Sequence, residues 1–318
     1  MIYRELGKTG LNVSIIGFGA SPLGHEFGTI DEAEGTRSVH LAIDKGINYF
    51  DVSPFYGRTL AESLLGAALK GQRQQIMLAT KTGRYDMDRF DFSARRVVTS
   101  LEESLKRLQT DYLDVFQAHD IEYGDKAQII GETVPAMLKL KEQGKVRFVG
   151  VTGYPLHLLK EVAETAEIDM VLSYCRYNLM DTALDQVLVP VLRQLGIGLV
   201  NASPLHMRIL TAKGAPPWHP APKAVVEAGR QAADWCTRQG TDISELALQF
   251  ALDYAPAATT LVGMSKVPHV ERNVQVVGTR PDPELLRGVQ EIIKPVSNTC
   301  WVMGRPEYSD PGAVPARA

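Results

Sequence analysis

Segments typical of strands and segments typical of helices alternate along the chain. Short runs rich in β-branched and other apolar residues predict strands, because half or more of their side chains must be buried. A short hairpin at residues 2–10 is expected before them, with its turn at Gly7–Gly10. The predicted strands are Val13–Gly17, Ile47–Asp51, Ile76–Thr80, Tyr112–Gln117, Val146–Val151, Met170–Ser173, Ile197–Val200 and Thr260–Val262.

Apolar residues spaced three and four apart predict the helices between these strands. Ser93 is a natural N-cap for one of them, and glycines such as Gly46 and Gly240 follow the ends of others as C-caps. The predicted helices are Ile30–Lys45, Leu60–Leu69, residues 93–108, Ala127–Glu142, Leu156–Thr165, Ala183–Leu195, Ala221–Arg238, Ile243–Tyr254, Val267–Val277 and Pro283–Ile293.

Repeated strand–helix units imply a parallel sheet. Eight units predict an α/β fold, a (β/α)8 TIM barrel with an N-terminal β-hairpin and extra helices. The rival is a doubly wound sheet with the fingerprint G-x-G-x-x-G after its first strand, but here the third glycine is missing after Gly17 and Gly19. We therefore expect one barrel domain over residues 1–318, with a tail at about 299–318 that partly covers the active-site face or is disordered.

Composition narrows the class of protein without naming a function. Of 318 residues 45% are hydrophobic and 22% charged, with a net charge of −3, as in ordinary globular proteins. This charge offers no bulk positive field for nucleic acid or an anionic membrane. The three cysteines are far apart, and neither a signal peptide nor a long apolar run is present. We expect a cytoplasmic protein that binds neither nucleic acid nor membrane.

Four residues at or near the ends of three consecutive strands suggest chemistry. In a barrel, residues at the C-terminal ends of the strands converge on the face that carries the active site. The second predicted strand ends at Asp51 with Tyr56 just beyond, the third is followed by Lys81, and the fourth leads to His119.

These residue types suit proton transfer to or from a hydroxyl group. A phenol has an ordinary pKa near 10, and a lysine cation beside it stabilises the phenolate. Asp51 can hold Lys81 in place, and His119 can orient a substrate oxygen. The set contains neither a nucleophile–base pair for acyl transfer nor a metal-ligand cluster. We predict catalytic roles for all four residues.

Several motifs around these residues resemble the aldo-keto reductase superfamily. They are GINYFDVSPFYG at 46–57, ATK at 79–81, SLEESLKRL at 100–108 and DYLD at 111–114. The resemblance runs from near the start of the chain to about residue 300. It implies an NAD(P)-dependent oxidoreductase in which Asp51, Tyr56, Lys81 and His119 form the catalytic tetrad.

Finer motifs are similar to a subgroup, the L-galactose and L-fucose (D-threo-aldose) 1-dehydrogenases. They are GASPLG at 19–24, FDFSA at 90–94, HDIE at 119–122, VLSYC at 171–175, ASPL at 202–205 and WHPA at 218–221. This similarity implies oxidation of C1 of a free aldose to the lactone, with Tyr56 as general base. The candidate substrate residues are Tyr56, His119, Phe55, Arg84, Tyr85, Asp120 and Trp301.

The same resemblance implies a nicotinamide cofactor and no metal. The candidate cofactor residues are Gly19, Ala20, Asp51, Thr152, Tyr174, Ser203, Pro204, Leu205, Gly263, Met264, Ser265, Lys266, His269, Arg272 and Asn273. Where many NADP-dependent relatives have Arg, this chain has His269, so NAD is preferred, with NADP as the alternative. Thr152-Gly153, Tyr174 and Ala202 depart from the residues that the wider family places around the nicotinamide.

Two other functions stay open at this point. A broad NADPH-dependent aldehyde or ketone reductase shares the tetrad, and only substrate and cofactor assays separate it. A cofactor-binding regulatory subunit would show a partner-binding extension or a broken tetrad, and the sequence shows neither. We expect a monomer or a weak homodimer that acts on a small sugar, whose identity among L-galactose, L-fucose and L-arabinose, or a non-sugar alcohol, the sequence does not fix.

Overall fold

Eight parallel strands close into a barrel in the computed structural model, which describes residues 1–25 and 28–317. Around the barrel the strand order follows the chain, and the last strand pairs with the first. The barrel strands are β3 (Ile16–Gly19), β4 (Tyr49–Asp51), β5 (Met77–Thr82), β6 (Leu113–Ala118), β7 (Val146–Gly153), β8 (Met170–Tyr174), β9 (Gly198–Ala202) and β10 (Thr259–Gly263). The predicted (β/α)8 barrel is confirmed.

Helices follow the strands and pack around the barrel. Asp31 and Ser93 cap two of them, since each side chain accepts a backbone N–H of the first turn. The helices are α1 (Glu32–Asp44), α2 (Leu60–Ala68), α3 (Ala94–Leu108), α4 (Lys126–Gln128), α5 (Val134–Glu142), α6 (Leu156–Thr165), α7 (Ala183–Val187), α8 (Val189–Leu195), α9 (Lys223–Arg238), α10 (Ile243–Leu252), α11 (Val267–Gln275) and α12 (Pro283–Ile293).

The N-terminal hairpin is present, but the first strand boundary was predicted wrongly. Strands β1 (Tyr3–Glu5) and β2 (Asn12–Ser14) pair antiparallel, and β3 begins only at Ile16. The predicted strand Val13–Gly17 therefore joins the end of the hairpin to the start of the barrel. The sequence hides this break, because the chain changes sheet at Ile15, between two stretches of strand-favouring residues, without a glycine or proline to mark it.

Two helices predicted as continuous are interrupted. Residues 126–142 contain a π-helical turn, Ile129–Thr133, just before Pro135. Residues 183–195 are divided at Leu188, two residues before Pro190. Proline lacks the N–H that would donate to the carbonyl four residues earlier, so the regular helical hydrogen bonding cannot continue through it.

Alternation along the barrel strands separates an apolar interior from a polar mouth. Successive side chains of a strand point to opposite faces, so every second residue faces the barrel axis. In the lower barrel these inward positions are filled by apolar side chains, among them Tyr49, Ala79, Val115, Met170, Val200 and Leu261. At the C-terminal ends the same alternation brings in Asp51, Lys81, Gln117 and Thr152. The polar mouth is thus a continuation of the core pattern.

The C-terminal segment, described to residue 317, packs on loops at the C-terminal end of the barrel. Trp301 is buried and stacks on Tyr154, which follows β7. The backbone N–H of Arg305 donates to the carbonyl of Glu122, which follows β6, over 2.9 Å. Further along, the Asp310 carboxylate accepts the first backbone N–H groups of α6, those of Leu156 and His157. The tail is therefore held to the face of the barrel where the polar side chains converge.

None of the helices in the described residues is long and apolar enough to cross a membrane.

Candidate active site

A buried ion pair occupies the barrel mouth between β4 and β5. Lys81 Nζ donates to Asp51 Oδ1 and to the carbonyl of Val52, the latter at 2.9 Å. The second carboxylate oxygen, Asp51 Oδ2, accepts from Gln117 Nε2 at 2.9 Å. Lys81 is 1% exposed, and burying its cation is tolerable only because these partners compensate the charge. Lys81 is thereby fixed in position and kept charged.

Tyr56 lies against this lysine. Its hydroxyl accepts a hydrogen bond from Lys81 Nζ at 3.3 Å, and Nζ lies 4.8 Å from the centre of its ring. Burial raises the pKa of Tyr56 to about 12, although Lys81 acts in the opposite direction. Lys81 thus acts on the pKa in the expected direction, but desolvation of the phenolate outweighs the attraction of the cation.

His119 follows β6 and faces Tyr56. The two rings meet edge to face with centroids 5.8 Å apart, and Phe55 packs against the same imidazole at 5.9 Å. Burial lowers the pKa of His119 to about 3; Asp120 opposes this shift, while Lys81 adds to it. The imidazole is consequently neutral at ordinary pH and is able to donate or accept a hydrogen bond without carrying a full charge.

A second ion pair lies beside the histidine. Asp120 Oδ2 accepts from Arg84 Nη1 at 2.5 Å, and Asp120 Oδ1 lies 3.7 Å from His119 Nε2. Thr152 Oγ1 accepts the backbone N–H of Asp120 and donates to Oδ1, over 2.9 and 3.3 Å. The guanidinium of Arg84 also covers the ring of Phe55 at 4.1 Å. The mouth thus carries polar groups whose formal charges cancel in pairs.

Glu122 is a buried carboxyl group near this pair. Its Oε1 accepts from the Tyr174 hydroxyl at 3.0 Å and from the Tyr154 backbone N–H at 3.2 Å, while Oε2 has no partner among the described residues. Burial raises the pKa of Glu122 to about 8, and Asp120 adds to the shift. At neutral pH this group is therefore largely protonated, and it holds Tyr174 at the end of β8.

Two predicted substrate residues lie elsewhere in the mouth. The Tyr85 hydroxyl accepts the backbone N–H of Gly83 at 3.2 Å and shares a hydrogen bond with Thr82 Oγ1 at 2.9 Å, and its ring lies under Arg96. Trp301 stacks on Tyr154. The structure brings Phe55, Arg84 and Asp120 close to Tyr56 and His119, while the contacts of Tyr85 and Trp301 are with supporting loops.

The predicted cofactor residues lie at or beyond the strand ends from β7 round to β3. Gly19 and Gly263 are paired across β3 and β10, and Ala20 donates its N–H to the Asp51 carbonyl at 2.8 Å. Tyr174 stands opposite Ala202 across β8 and β9. Thr152 lies in β7, Ser203, Pro204 and Leu205 follow β9, Met264, Ser265 and Lys266 link β10 to α11, and His269, Arg272 and Asn273 lie in α11.

The main chain at the ends of β3 and β10 is suited to contact with an elongated ligand. A side chain at Gly19 would come within 3.1 Å of the Val262 carbonyl oxygen, and one at Gly263 within 3.0 Å of Pro22. Both glycines are at least partly exposed, so the ends of β3 and β10 present main chain to a ligand without side chains in the way. The residues present therefore fit a dinucleotide lying along the strand ends.

The N-terminus of α11 carries an acidic partner. Glu34 Oε1 in α1 accepts the backbone N–H of Val267 at 3.0 Å, and Glu34 Oε2 pairs with Arg37 at 2.7 Å. These two hydrogen bonds lower the pKa of Glu34, so it is a carboxylate. Burial lowers the pKa of His269, with Lys266 adding to the effect, so this histidine is neutral.

Three residues of the site were missed at the level of sequence. Gln117 donates to the second oxygen of the Asp51 carboxylate, Ser53 bonds to His119, and Glu122 accepts a hydrogen bond from Tyr174. Gln117 could have been found from alternation, since it lies two residues before His119 and faces the same way. Ser53 and Glu122 lie in loops, where alternation gives no direction.

Within the described part of the chain, no group of three or more His, Cys, Asp or Glu residues is placed to hold a metal ion. The polar residues of the mouth bond to one another and leave carboxylates paired with cations.

Comparison with known proteins identifies the family. Residues 15–294 match the model of the aldo/keto reductase family. The chain is 46% identical to L-galactose dehydrogenase of Arabidopsis thaliana, covering 95% of this chain and 97% of that protein, and 30% identical to D-arabinose 1-dehydrogenase of Saccharomyces cerevisiae, covering 84% and 87%.

A solved structure agrees with the sequence relatives. The holo form of an aldo-keto reductase from Bacillus halodurans superimposes with a TM-score of 0.77 and 29% identity, covering 93% of this chain and 96% of that one. The barrel, the residues at its mouth and these relatives lead to one conclusion. The chain belongs to the aldo/keto reductase family and is an NAD(P)-dependent oxidoreductase.

Proposed function

We propose that this enzyme oxidises the C1 hydroxyl of a free aldose of the L-galactose or L-fucose type to the lactone. The observation that carries the proposal is the hydrogen bond between Lys81 and Tyr56 beside a neutral His119. A dehydrogenase of L-galactose that is 46% identical over nearly its whole length supports the substrate class. The paired charges of Arg84 and Asp120 suit an uncharged sugar, since the guanidinium of Arg84 is already neutralised and is not available to bind a phosphate or carboxylate.

The geometry of the tetrad supports the following roles. Tyr56 takes the proton of the C1 hydroxyl, and Lys81, held by Asp51, stabilises the phenolate that must be present first. His119 donates a hydrogen bond from Nε2 to the C1 oxygen and so orients the carbon that is oxidised. A bound nicotinamide supplies the acceptor for the hydride that leaves C1. Such acid–base catalysis contributes about 10²–10⁴-fold to the rate.

Initial rates with a panel of aldoses test the substrate. L-galactose, L-fucose, D-arabinose and L-arabinose would each be offered with NAD and with NADP, and reduced cofactor would be followed by absorbance. We expect oxidation of at least one aldose of the L-galactose or L-fucose type. If all aldoses are inert while simple aldehydes are reduced with NADPH, the alternative of a broad reductase replaces this proposal.

We further propose NAD as the preferred cofactor. At the start of α11, the backbone N–H of Val267 already donates to Glu34 of α1. Within α11, His269 is neutral and Arg272 pairs with Asp242 at 3.2 Å. A 2′-phosphate placed at this helix N-terminus would meet a carboxylate on the same amide. Like charges repel, so the arrangement disfavours NADP.

Binding of cofactor fragments tests the role of Glu34. Calorimetry would compare 2′,5′-ADP with 5′-AMP on the wild type, Glu34→Gln and the control Glu32→Gln, an exposed acid of the same helix turn. We expect Glu34→Gln to improve binding of 2′,5′-ADP relative to 5′-AMP, up to about fivefold, and Glu32→Gln to change little. An equal preference in all three proteins would show that Glu34 does not select the cofactor.

The remaining proposals concern the chain as a whole. We infer one domain over residues 1–318, of which residues 26, 27 and 318 lie outside the described part, because the tail is bonded to the barrel loops. Cys175, Cys236 and Cys300 are free and buried, which fits the reducing cytoplasm. Among the described residues only six large apolar side chains are exposed, three of them at the N-terminus (Met1, Ile2 and Tyr3) and the others at Met87, Val98 and Trp218. So small an exposed apolar surface supports a monomer or weak homodimer.

A further inference from the structure

Ser53 is a completely buried hydroxyl in the loop between Asp51 and Tyr56. Its Oγ lies 3.0 Å from His119 Nδ1 and accepts the backbone N–H of Phe55 at 3.1 Å. The second bond makes a tight local turn of the kind serine forms with the backbone two residues on. The turn fixes where Oγ stands before any ligand arrives.

The hydrogen of this hydroxyl has one recorded acceptor. Oγ already accepts from Phe55, and the only other partner of Oγ among the described residues is His119 Nδ1. If Nδ1 carried the proton and donated to Oγ, the hydroxyl hydrogen would be buried without an acceptor, which is costly. The arrangement with every group satisfied has Oγ–H donating to Nδ1.

The opposite side of the imidazole favours the same state. Asp120 Oδ1 lies 3.7 Å from His119 Nε2, so a hydrogen on Nε2 faces a negative charge and a lone pair there would be repelled by it. A neutral imidazole carries its hydrogen on one nitrogen only. Acceptance at Nδ1 therefore places it on Nε2.

We propose that Ser53 is a positioning residue that selects the Nε2–H form of His119, the only neutral form able to donate a hydrogen bond from Nε2. In this form Nε2 can donate to the oxygen whose proton Tyr56 takes. The ring cannot readily turn over to exchange its nitrogens, since Phe55 and Tyr56 both pack edgewise on it. The inference rests on the proposed function for its consequence in catalysis, but not for the state of the imidazole.

Nitrogen NMR of histidine-labelled protein tests the state directly. Long-range proton–nitrogen correlations distinguish a protonated from an unprotonated ring nitrogen, and the signals of His119 are those missing from His119→Gln. We expect Nδ1 unprotonated and Nε2 protonated in the wild type near neutral pH. Protonated Nδ1 in the wild type would overturn the proposal, whether or not any aldose is oxidised.

Variants at Ser53 connect the state to the reaction. Ser53→Ala is expected to move His119 toward the Nδ1–H form and to lower kcat/KM about threefold to tenfold, the worth of one neutral hydrogen bond. Ser53→Thr keeps the hydroxyl and is expected to recover both readouts, with binding of NAD unchanged. The control Ser38→Ala removes another buried serine hydroxyl, one that bonds within α1, and should alter neither readout.

Each combination of results decides the question. A fall in kcat/KM with unchanged His119 signals in Ser53→Ala means that Ser53 serves only the loop, and the proposal fails. If Ser53→Ala does not fold, the wild-type and Ser53→Thr spectra still decide it. If no aldose is a substrate, the NMR result stands alone, so failure of the proposed function is distinguishable from failure of this inference.

Discussion

The mouth of the barrel has two halves that are held together in different ways. Around Lys81, the polar atoms of neighbouring strands bond to one another, with both oxygens of Asp51 occupied. Around Trp301, rings stack and meet edge to face, as on Tyr154 and His206. Among the described residues, both ring nitrogens of His206 and Nε1 of Trp301 lack hydrogen-bond partners, whereas in the half around Lys81 unpartnered atoms such as Gln117 Oε1 and Arg84 Nε belong to side chains that are bonded through another atom.

This difference separates orientation from bulk stability. Hydrogen bonds are directional and short in range, so the half around Lys81 fixes the atoms that handle the proton. Ring packing removes a large apolar area from water but leaves polar atoms unsatisfied, so the half around Trp301 contributes stability without fixing a reaction geometry. Substitutions in the half around Lys81 should therefore lower turnover, and substitutions in the half around Trp301 should lower the free energy of unfolding.

The largest expected effect is on turnover, in the hydrogen-bonded half. Tyr56→Phe removes the base and should lower kcat about 10²–10⁴-fold while leaving NAD binding and Tm near those of the wild type. Tyr177→Phe, whose ring stacks on Tyr254, serves as the matched control. Near-normal turnover of Tyr56→Phe would remove the tyrosine from the mechanism and erase the contrast between the two halves.

In the ring-packed half, the expected loss is of folding free energy. Trp301→Ala should lower the free energy of unfolding by about 3–5 kcal/mol, because it empties a large buried site. Trp218→Ala, at a side chain that is 54% exposed, should cost less than about 1 kcal/mol. Denaturant titrations would measure both. Similar losses for the two tryptophans would mean that the tail adds no specific packing.

The pH dependence of oxidation sharpens the role of Tyr56. Because the pKa of Tyr56 is raised to about 12, its basic form is scarce at neutral pH and grows about tenfold per unit as pH rises. We expect kcat/KM for aldose oxidation to increase through pH 9 until another step becomes limiting. A profile that is flat from pH 6 to 9 would place the proton on a different group.

Glu122 lies where the two halves meet. Its effect is on stability, which should fall as pH rises, whereas the activity that depends on Tyr56 should increase. Its folded pKa of about 8 lies above its ordinary value of 4.5, so the folded protein holds a proton that the unfolded chain releases between these values. Stability should therefore be greatest below about pH 4.5 for this group and fall as pH rises through 8.

The variant Glu122→Gln isolates that contribution. From pH 5 to 8.5 the wild type should lose up to about 4 kcal/mol more unfolding free energy than the variant. Glu164→Gln, an exposed acid of α6, is the control and should follow the wild type. Parallel curves for wild type and Glu122→Gln would show that Glu122 is ionised in the folded state.

Elements with strong local signals were predictable from sequence. Helix α6 was predicted at its observed bounds, and the cap at Ser93 lies where expected. The interruptions of two other helices were not predicted. The apolar spacing continues through Pro135 and Pro190, although the helical hydrogen bonding does not. The break at Ile15 depends on which sheet each segment joins, which is a property of the whole fold.

The tetrad was located because its positions follow from strand alternation and from the family motifs. The pKa of Tyr56 could not be predicted from the sequence, because it depends on how deeply the folded chain buries the ring. Ser53 and Glu122 were missed for a related reason. Each acts through a partner that is distant along the chain, His119 and Tyr174 respectively, and only folding brings these pairs together.

The carboxylate of Asp310 matters for anyone handling the protein. It accepts the first two amides of α6 and lies 3.2 Å from the buried guanidinium of Arg176. A single proteolytic cut between residues 302 and 309 would separate from the barrel both a helix cap and one of the two carboxylates, with Asp181, that lie beside a buried cation. An affinity tag is therefore safer at the N-terminus, and intact mass should be verified before any preparation is judged inactive.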